Sequence, residues 1–94
     1  MIRHAVMVKL RDDADADHIA RLLDGFRSLR CPGTLAYSVG TDAGLREGNW
    51  SFLVVADFTD AEAFRGYDAD EEHNRLRGEL APYVEQMARC QFEL

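Results

Sequence analysis

From Ile2 to Leu10 the chain alternates, with Ile2, His4, Val6, Val8 and Leu10 on one side and Arg3, Ala5, Met7 and Lys9 on the other. That is the period of a β-strand. Asp15 to Asp17 then offer a cap and favourable charge at a helix start. Ile19, Leu22, Leu23, Phe26 and Leu29 follow at helical spacing, predicting a helix that stops before Cys31-Pro32-Gly33. A second alternation through Leu35, Tyr37, Val39 and Thr41, a Gly44 to Gly48 connection, and the strongest strand pattern, Trp50 to Phe58, together predict an antiparallel hairpin. Thr59 with Glu62 matches a capping box and predicts a short helix through Phe64 and Tyr67. Asp68 and Asp70 break and restart that helix, which runs on toward Leu80. Pro82 marks its end or a fresh first turn, and Met87 to Leu94 reads as a last strand.

The order β-α-β-β-α-β with two amphipathic helices predicts an α+β, ferredoxin-like protomer: a four-stranded antiparallel sheet covered on one face by both helices, in a single domain over 1–94. The second sheet face would carry either Ala5 and Met7 with Leu53 and Val55, or Trp50, Phe52, Val54 and Phe58, and both sets are substantially apolar. A sheet apolar on both faces has to be covered on both, which predicts a homodimer packed sheet against sheet. Size argues the same way. A domain of 94 residues buries only about 60 to 65% of its unfolded surface, so a second copy would relieve a marginal core.

Charge narrows the partners. The formal net charge is -6, from 11 basic and 17 acidic side chains, and the acids gather in Asp12 to Asp17 and Asp68 to Glu72. No basic stripe suits phosphate, so nucleic acid is not an expected partner. Cys31 and Cys90 have neither metal-ligand nor redox-motif spacing, and no long apolar segment precedes the first strand. The chain reads as a reduced cytoplasmic protein with no membrane partner. The three histidines form no short-range metal motif, and neither a metal nor a cofactor is expected.

Candidate chemistry centres on Tyr67 and His73. Leu76, Leu80 and Tyr83 recur after His73 at spacings of three and four, so His73 continues the buried stripe of its helix, while Tyr67 lies three after Phe64 on a similar stripe. Groups of this kind aimed at a core need partners there. A ligand pocket supplies them on one reading, and a hydrogen bond between the two, or to backbone at the helix junction, on the other. His4 shares its strand face with Ile2, Val6, Val8 and Leu10, a setting for either a core group or a pocket residue. Trp50 and Phe52, placed on one face with Val54 and Phe58, read as core or interface, or as an aromatic wall against a flat ligand. His18, at a helix start, is expected to be solvated.

Arg3-His4-Ala5-Val6-Met7-Val8-Lys9-Leu10, Gly40-Thr41-Asp42 leading to Gly48-Asn49-Trp50, Ala56-Asp57-Phe58, and Tyr67 followed by His73 together resemble the stress-responsive A/B barrel (Dabb) family, nearly end to end. The resemblance implies a dimeric α+β barrel. It also extends to the branch that contains the plant polyketide cyclase of olivetolic acid synthesis. The catalytic tyrosine and histidine of that branch fall on Tyr67 and His73, and a further pocket histidine falls on His4. A third histidine falls on Phe52 and a pocket tyrosine on Asp24, so substrate identity does not carry over. On this footing His73 would be the general base of a cofactor-free aldol cyclisation, with Tyr67 orienting it or stabilising an enolate. His4, Phe52 and Trp50 would contact a small hydrophobic carbonyl or aromatic ligand. The alternatives are a non-catalytic stress-response dimer and, on the shared barrel architecture, a cofactor-free or haem-dependent monooxygenase.

Overall fold

The computed structural model describes residues 1–94 and contains strand β1 (Ile2–Leu10), helix α1 (Ala16–Arg27), strands β2 (Thr34–Thr41) and β3 (Phe52–Phe58), helices α2 (Ala61–Asp68) and α3 (Glu71–Leu80), a single 3₁₀ turn (Ala81–Tyr83), and strand β4 (Val84–Glu93). The four strands form one sheet in the order β2-β3-β1-β4, antiparallel throughout. This is the ferredoxin-like arrangement that the alternation and helix periods predict, with the second helix divided in two.

Carboxylates set the helix starts. Asp15 accepts from the backbone N–H groups of Asp17 and His18 at 3.0 and 3.2 Å and caps α1. Asp60 accepts from the Ala63 N–H at 2.9 Å and caps α2. This corrects the Thr59–Glu62 capping box: the Thr59 N–H is already committed to the Gly33 carbonyl at 2.9 Å, continuing the pairing of β3 with the chain ahead of β2, so the helix begins one residue later. Asp70 caps α3 through the His73 N–H and thereby fixes the break between the two short helices.

The helix-facing side of the sheet carries His4, Val8, Phe52, Val54, Ala56 and Phe58, all buried; Val8, Phe52 and Val54 pack with Leu22, Leu23 and Phe26 of α1 and Leu76 and Leu80 of α3, and Ala56 and Phe58 with Tyr67 of α2. Helices α1 and α3 meet at Gly25, where a Cβ would stand 2.7 Å from Leu76 Cδ2; the missing side chain is what lets them approach. The opposite face is open. There Met7 and Phe92 are about half exposed, and Leu53 is 38% exposed.

Two strand boundaries differ from the pattern. Strand β4 begins at Val84, three residues earlier than the alternation indicates, because the Arg11 N–H bonds the Tyr83 carbonyl and brings β1 and the chain after the 3₁₀ turn together at once. Strand β3 begins at Phe52, two residues later than expected. Its approach is irregular: the Ser51 hydroxyl accepts from the Leu10 N–H at 2.9 Å, and the Ser51 N–H donates to the Val8 carbonyl at 2.8 Å. Period-2 alternation therefore does not carry back to Trp50.

Candidate functional site

The sheet and helices enclose a cavity of about 50 Å³ whose lining includes His4, Phe52, Tyr67 and His73. Strand β1 supplies His4 from its helix-facing side, and the α2–α3 junction supplies the other two titratable groups, Tyr67 from the last turn of α2 and His73 from the first turns of α3. The two imidazoles are each only 4% exposed, in a core otherwise built of apolar groups.

The break between α2 and α3 determines how His73 is held. His73 Nδ1 lies 2.8 Å from the backbone carbonyl of Tyr67, to which it donates, so in the neutral ring the lone pair is on Nε2. The Tyr67 ring stacks on the imidazole at 4.0 Å between centroids and 26° between planes, and Phe26 of α1 meets it edge-on at 5.8 Å. Two aromatic rings and a carbonyl thus fix both position and tautomer.

His4 is held in the opposite sense. The Gln91 side-chain amide donates to His4 Nδ1 at 2.8 Å, which leaves the single proton of the neutral ring on Nε2. Neither histidine's Nε2 has a protein partner, yet no buried polar side-chain atom lacks one, so both Nε2 atoms retain access to space. The space the two rings share is the cavity. The neutral rings of these two lining residues leave one acceptor, His73 Nε2, and one donor, His4 Nε2–H, without a protein partner.

Burial disfavours the charged form of both rings. Burial, seconded by repulsion from His73 and from Arg89 and Arg77, pushes the His4 imidazole down to about 4. Burial also lowers His73, against the raising effect of its bond to the Tyr67 carbonyl. The Tyr67 hydroxyl shares a 2.7 Å hydrogen bond with Tyr37, and burial with that bond raises its ionisation far above the ordinary phenol range.

The structure brings His4, Phe52, Tyr67 and His73 to one cavity, but three expectations need correction. The Tyr67 hydroxyl is turned to Tyr37, and it is the Tyr67 carbonyl and ring that orient His73. Trp50 does not join Phe52 in the buried core or at the cavity. It lines, with Met7, Leu53 and Val55, a groove of about 710 Å³ on the open side of the sheet and not the cavity, whereas the buried Phe52 borders both, because the alternation fails at Ser51. His18 is not simply solvated, since its Nδ1 lies 2.7 Å from the Tyr83 hydroxyl and ties α1 to the 3₁₀ turn.

Gln91, Tyr37, Asp68, Arg77 and Arg89 were not anticipated around these rings. The signal for Gln91 is register: antiparallel pairing of β1 with β4 sets it opposite His4, but a last strand placed at Met87 leaves that register unfixed.

Residues 2–94 match the family model described as the stress responsive A/B barrel domain. No curated protein matches the chain in sequence. Among solved structures, a dimeric ferredoxin-like protein of unknown function from Thermobifida fusca is 29% identical, with a TM-score of 0.92, over 99% of this chain and 90% of that one. The hydroxynitrile lyase from Passiflora edulis superposes with a TM-score of 0.84 at 16% identity, over 99% and 92% of the two chains. A structure named as an antibiotic biosynthesis monooxygenase gives 0.76 at 17% identity, over 100% and 98%. The last two likenesses concern the fold.

Proposed function

The chain belongs to the family of stress responsive A/B barrel domains, and we propose that it is a homodimer whose helix-side cavity binds a small carbonyl compound and removes a proton from the carbon beside the carbonyl. His73 Nε2 takes the proton, the electron pair moves onto the carbonyl oxygen, and His4 Nε2–H donates a hydrogen bond to the enolate oxygen so formed. The supporting observation is the complementary pair of tautomers, each fixed through Nδ1 by a different protein group. No cofactor is needed for this step.

Volume sets the substrate. About 50 Å³ is well below the roughly 300 Å³ at the low end for drug-sized ligands, so the carbonyl end of a few-carbon compound enters while any longer portion stays outside. A folded polyketide does not fit the cavity in this form. Enzyme names among the fold neighbours support catalysis only by analogy. Dimerisation draws on the neighbour described as dimeric and on the apolar open face.

The test is hydrogen–deuterium exchange at the carbon between the two carbonyls of methyl acetoacetate, followed by proton NMR at pH 6, where uncatalysed exchange is slower. Acceleration over buffer by the wild type and its loss in His73→Gln are the expected results. A wild-type rate equal to buffer overturns the catalytic reading. The small cavity favours one second reading, a non-catalytic dimer in which the same network serves stability. On that reading His73→Gln lowers the unfolding midpoint and changes no exchange rate.

A further inference from the structure

Strand β4 is an edge strand, and its register with β1 puts Met87 opposite Val8, Arg89 opposite Val6 and Gln91 opposite His4. Val8, Val6 and His4 all point toward the helices, so their partners on β4 do as well. Helices α1 to α3 do not cover this edge: every β4 residue after Val84 is exposed, although Met87 and Arg89 line the cavity that His4 and His73 share. They form its mouth.

The charges at that mouth are unequal. Arg77 also lines the cavity and is bound by Asp68 Oδ1 at 2.8 Å, as well as by the Asp68 carbonyl and Asn74. Arg89 makes no ion pair, and its guanidinium meets only Met87 Sδ, at 2.7 Å. Glu93, further along the same face of β4, does not reach it. Of the ten arginines, Arg3, Arg11, Arg27, Arg75 and Arg77 pair with carboxylates, and of the five that do not, Arg89 alone lines the cavity. Its field reaches inward, since Arg89 is among the groups that disfavour protonation of His4.

We propose that Arg89 is the specificity-determining residue of this cavity and selects an anionic substrate, a carbonyl compound bearing a carboxylate. The carbonyl enters between the two Nε2 atoms, and the carboxylate remains at the mouth, where the guanidinium presents paired N–H donors to it. A neutral carbonyl compound of the same shape leaves Arg89 with water alone. This assignment rests on the reading of the cavity as a carbonyl site and adds the class of substrate.

The experiment compares acetoacetate with its neutral methyl ester, titrated into ¹⁵N-labelled protein at low ionic strength while the imidazole signals of His4 and His73 are observed. Acetoacetate is expected to bind about fivefold or more tightly than the ester, as fits a charge-assisted bond at a partly exposed site. Arg89→Gln is expected to bring that ratio to about one, and Arg89→Lys to retain part of it. Arg46→Gln, which changes net charge equally on an exposed loop, is expected to leave the ratio intact. Equal binding of the two probes by the wild type, or a preference that survives Arg89→Gln, overturns the role of Arg89 while the cavity reading stands. If neither probe moves the His4 or His73 signals, the cavity reading fails and takes this assignment with it. Because Arg89 is exposed, its variants are expected to fold, which the unchanged amide spectrum verifies.

Discussion

The rings of Tyr67 and His73 stack 4.0 Å apart, yet the hydrogen bond joining the two residues runs from the imidazole Nδ1 to the tyrosine's backbone carbonyl, while its hydroxyl turns away to Tyr37. The Tyr67 hydroxyl is therefore separable from the orientation of the base. Tyr67→Phe keeps the stack and the carbonyl and leaves the Tyr37 hydroxyl without its partner. It is expected to cost about 1 kcal/mol in urea unfolding and to change the exchange rate of methyl acetoacetate by less than about threefold. A loss as large as that of His73→Gln would put the hydroxyl back into the chemistry.

Acid is expected to destabilise the fold by way of His4. Its folded-state value of about 4 lies below the unfolded value of 6.5, so between those limits the unfolded chain binds the extra proton and stability falls as pH falls. The contribution is intact above about pH 6.5 and is lost progressively toward pH 4. It amounts to at most about 3 kcal/mol, and the lowered His73 adds in the same direction. Urea midpoints at pH 7, 5.5 and 4.5 measure it, and His4→Gln should flatten the profile. A wild-type midpoint constant across that range would contradict the burial argument.

Gly25→Ala places a Cβ 2.7 Å from Leu76 Cδ2, where α1 crosses α3. Overpacking of about 1–3 kcal/mol outweighs a helix-propensity gain of up to about 1 kcal/mol, so net destabilisation is expected. Phe26 follows Gly25 and meets His73 edge-on, so the His73 ring signals should shift as well. Thermal unfolding and the imidazole spectrum check the two effects together.

Met7→Glu puts a charge on the open sheet face, where the side chain is 46% exposed in the single chain. If a second copy covers that face, light scattering should show a shift from dimer to monomer. The His4 and His73 resonances, on the other side of the sheet, should stay in place. A wild-type monomer in solution, or a Met7→Glu dimer as tight as the wild type, would remove this face as the interface.

The sequence made much of the architecture legible because it is written in period. Ile2 to Leu10 alternates over its whole length, and Ile19 to Leu29 keeps helical spacing, so β1 and α1 are found to within a few residues. The gathering of His4, Tyr67 and His73 was legible in part. Each lies on an apolar stripe, and the break at Asp70 was visible as a capping residue. What periodicity could not supply was which atoms bond. The roles of the Tyr67 carbonyl and of Gln91 depend on the geometry of a helix junction and on the β1–β4 register. Trp50 was misplaced for a related reason: the Ser51 side chain accepts a bond from Leu10, and alternation has no way to announce a hydroxyl that interrupts it.

The break between α2 and α3 sets helix continuity against the orientation of His73. In an unbroken helix the Tyr67 carbonyl would be occupied by the N–H four residues on; here it accepts from Asp70 N–H at 3.2 Å and has capacity left for an imidazole. Any change that heals the discontinuity, such as a good helix former in place of Asp70, would lengthen the helix at the expense of the only group that fixes which nitrogen of His73 is basic. A protein engineer selecting this chain for heat resistance alone would thus tend to erase the imperfection that holds the His73 ring in one tautomer.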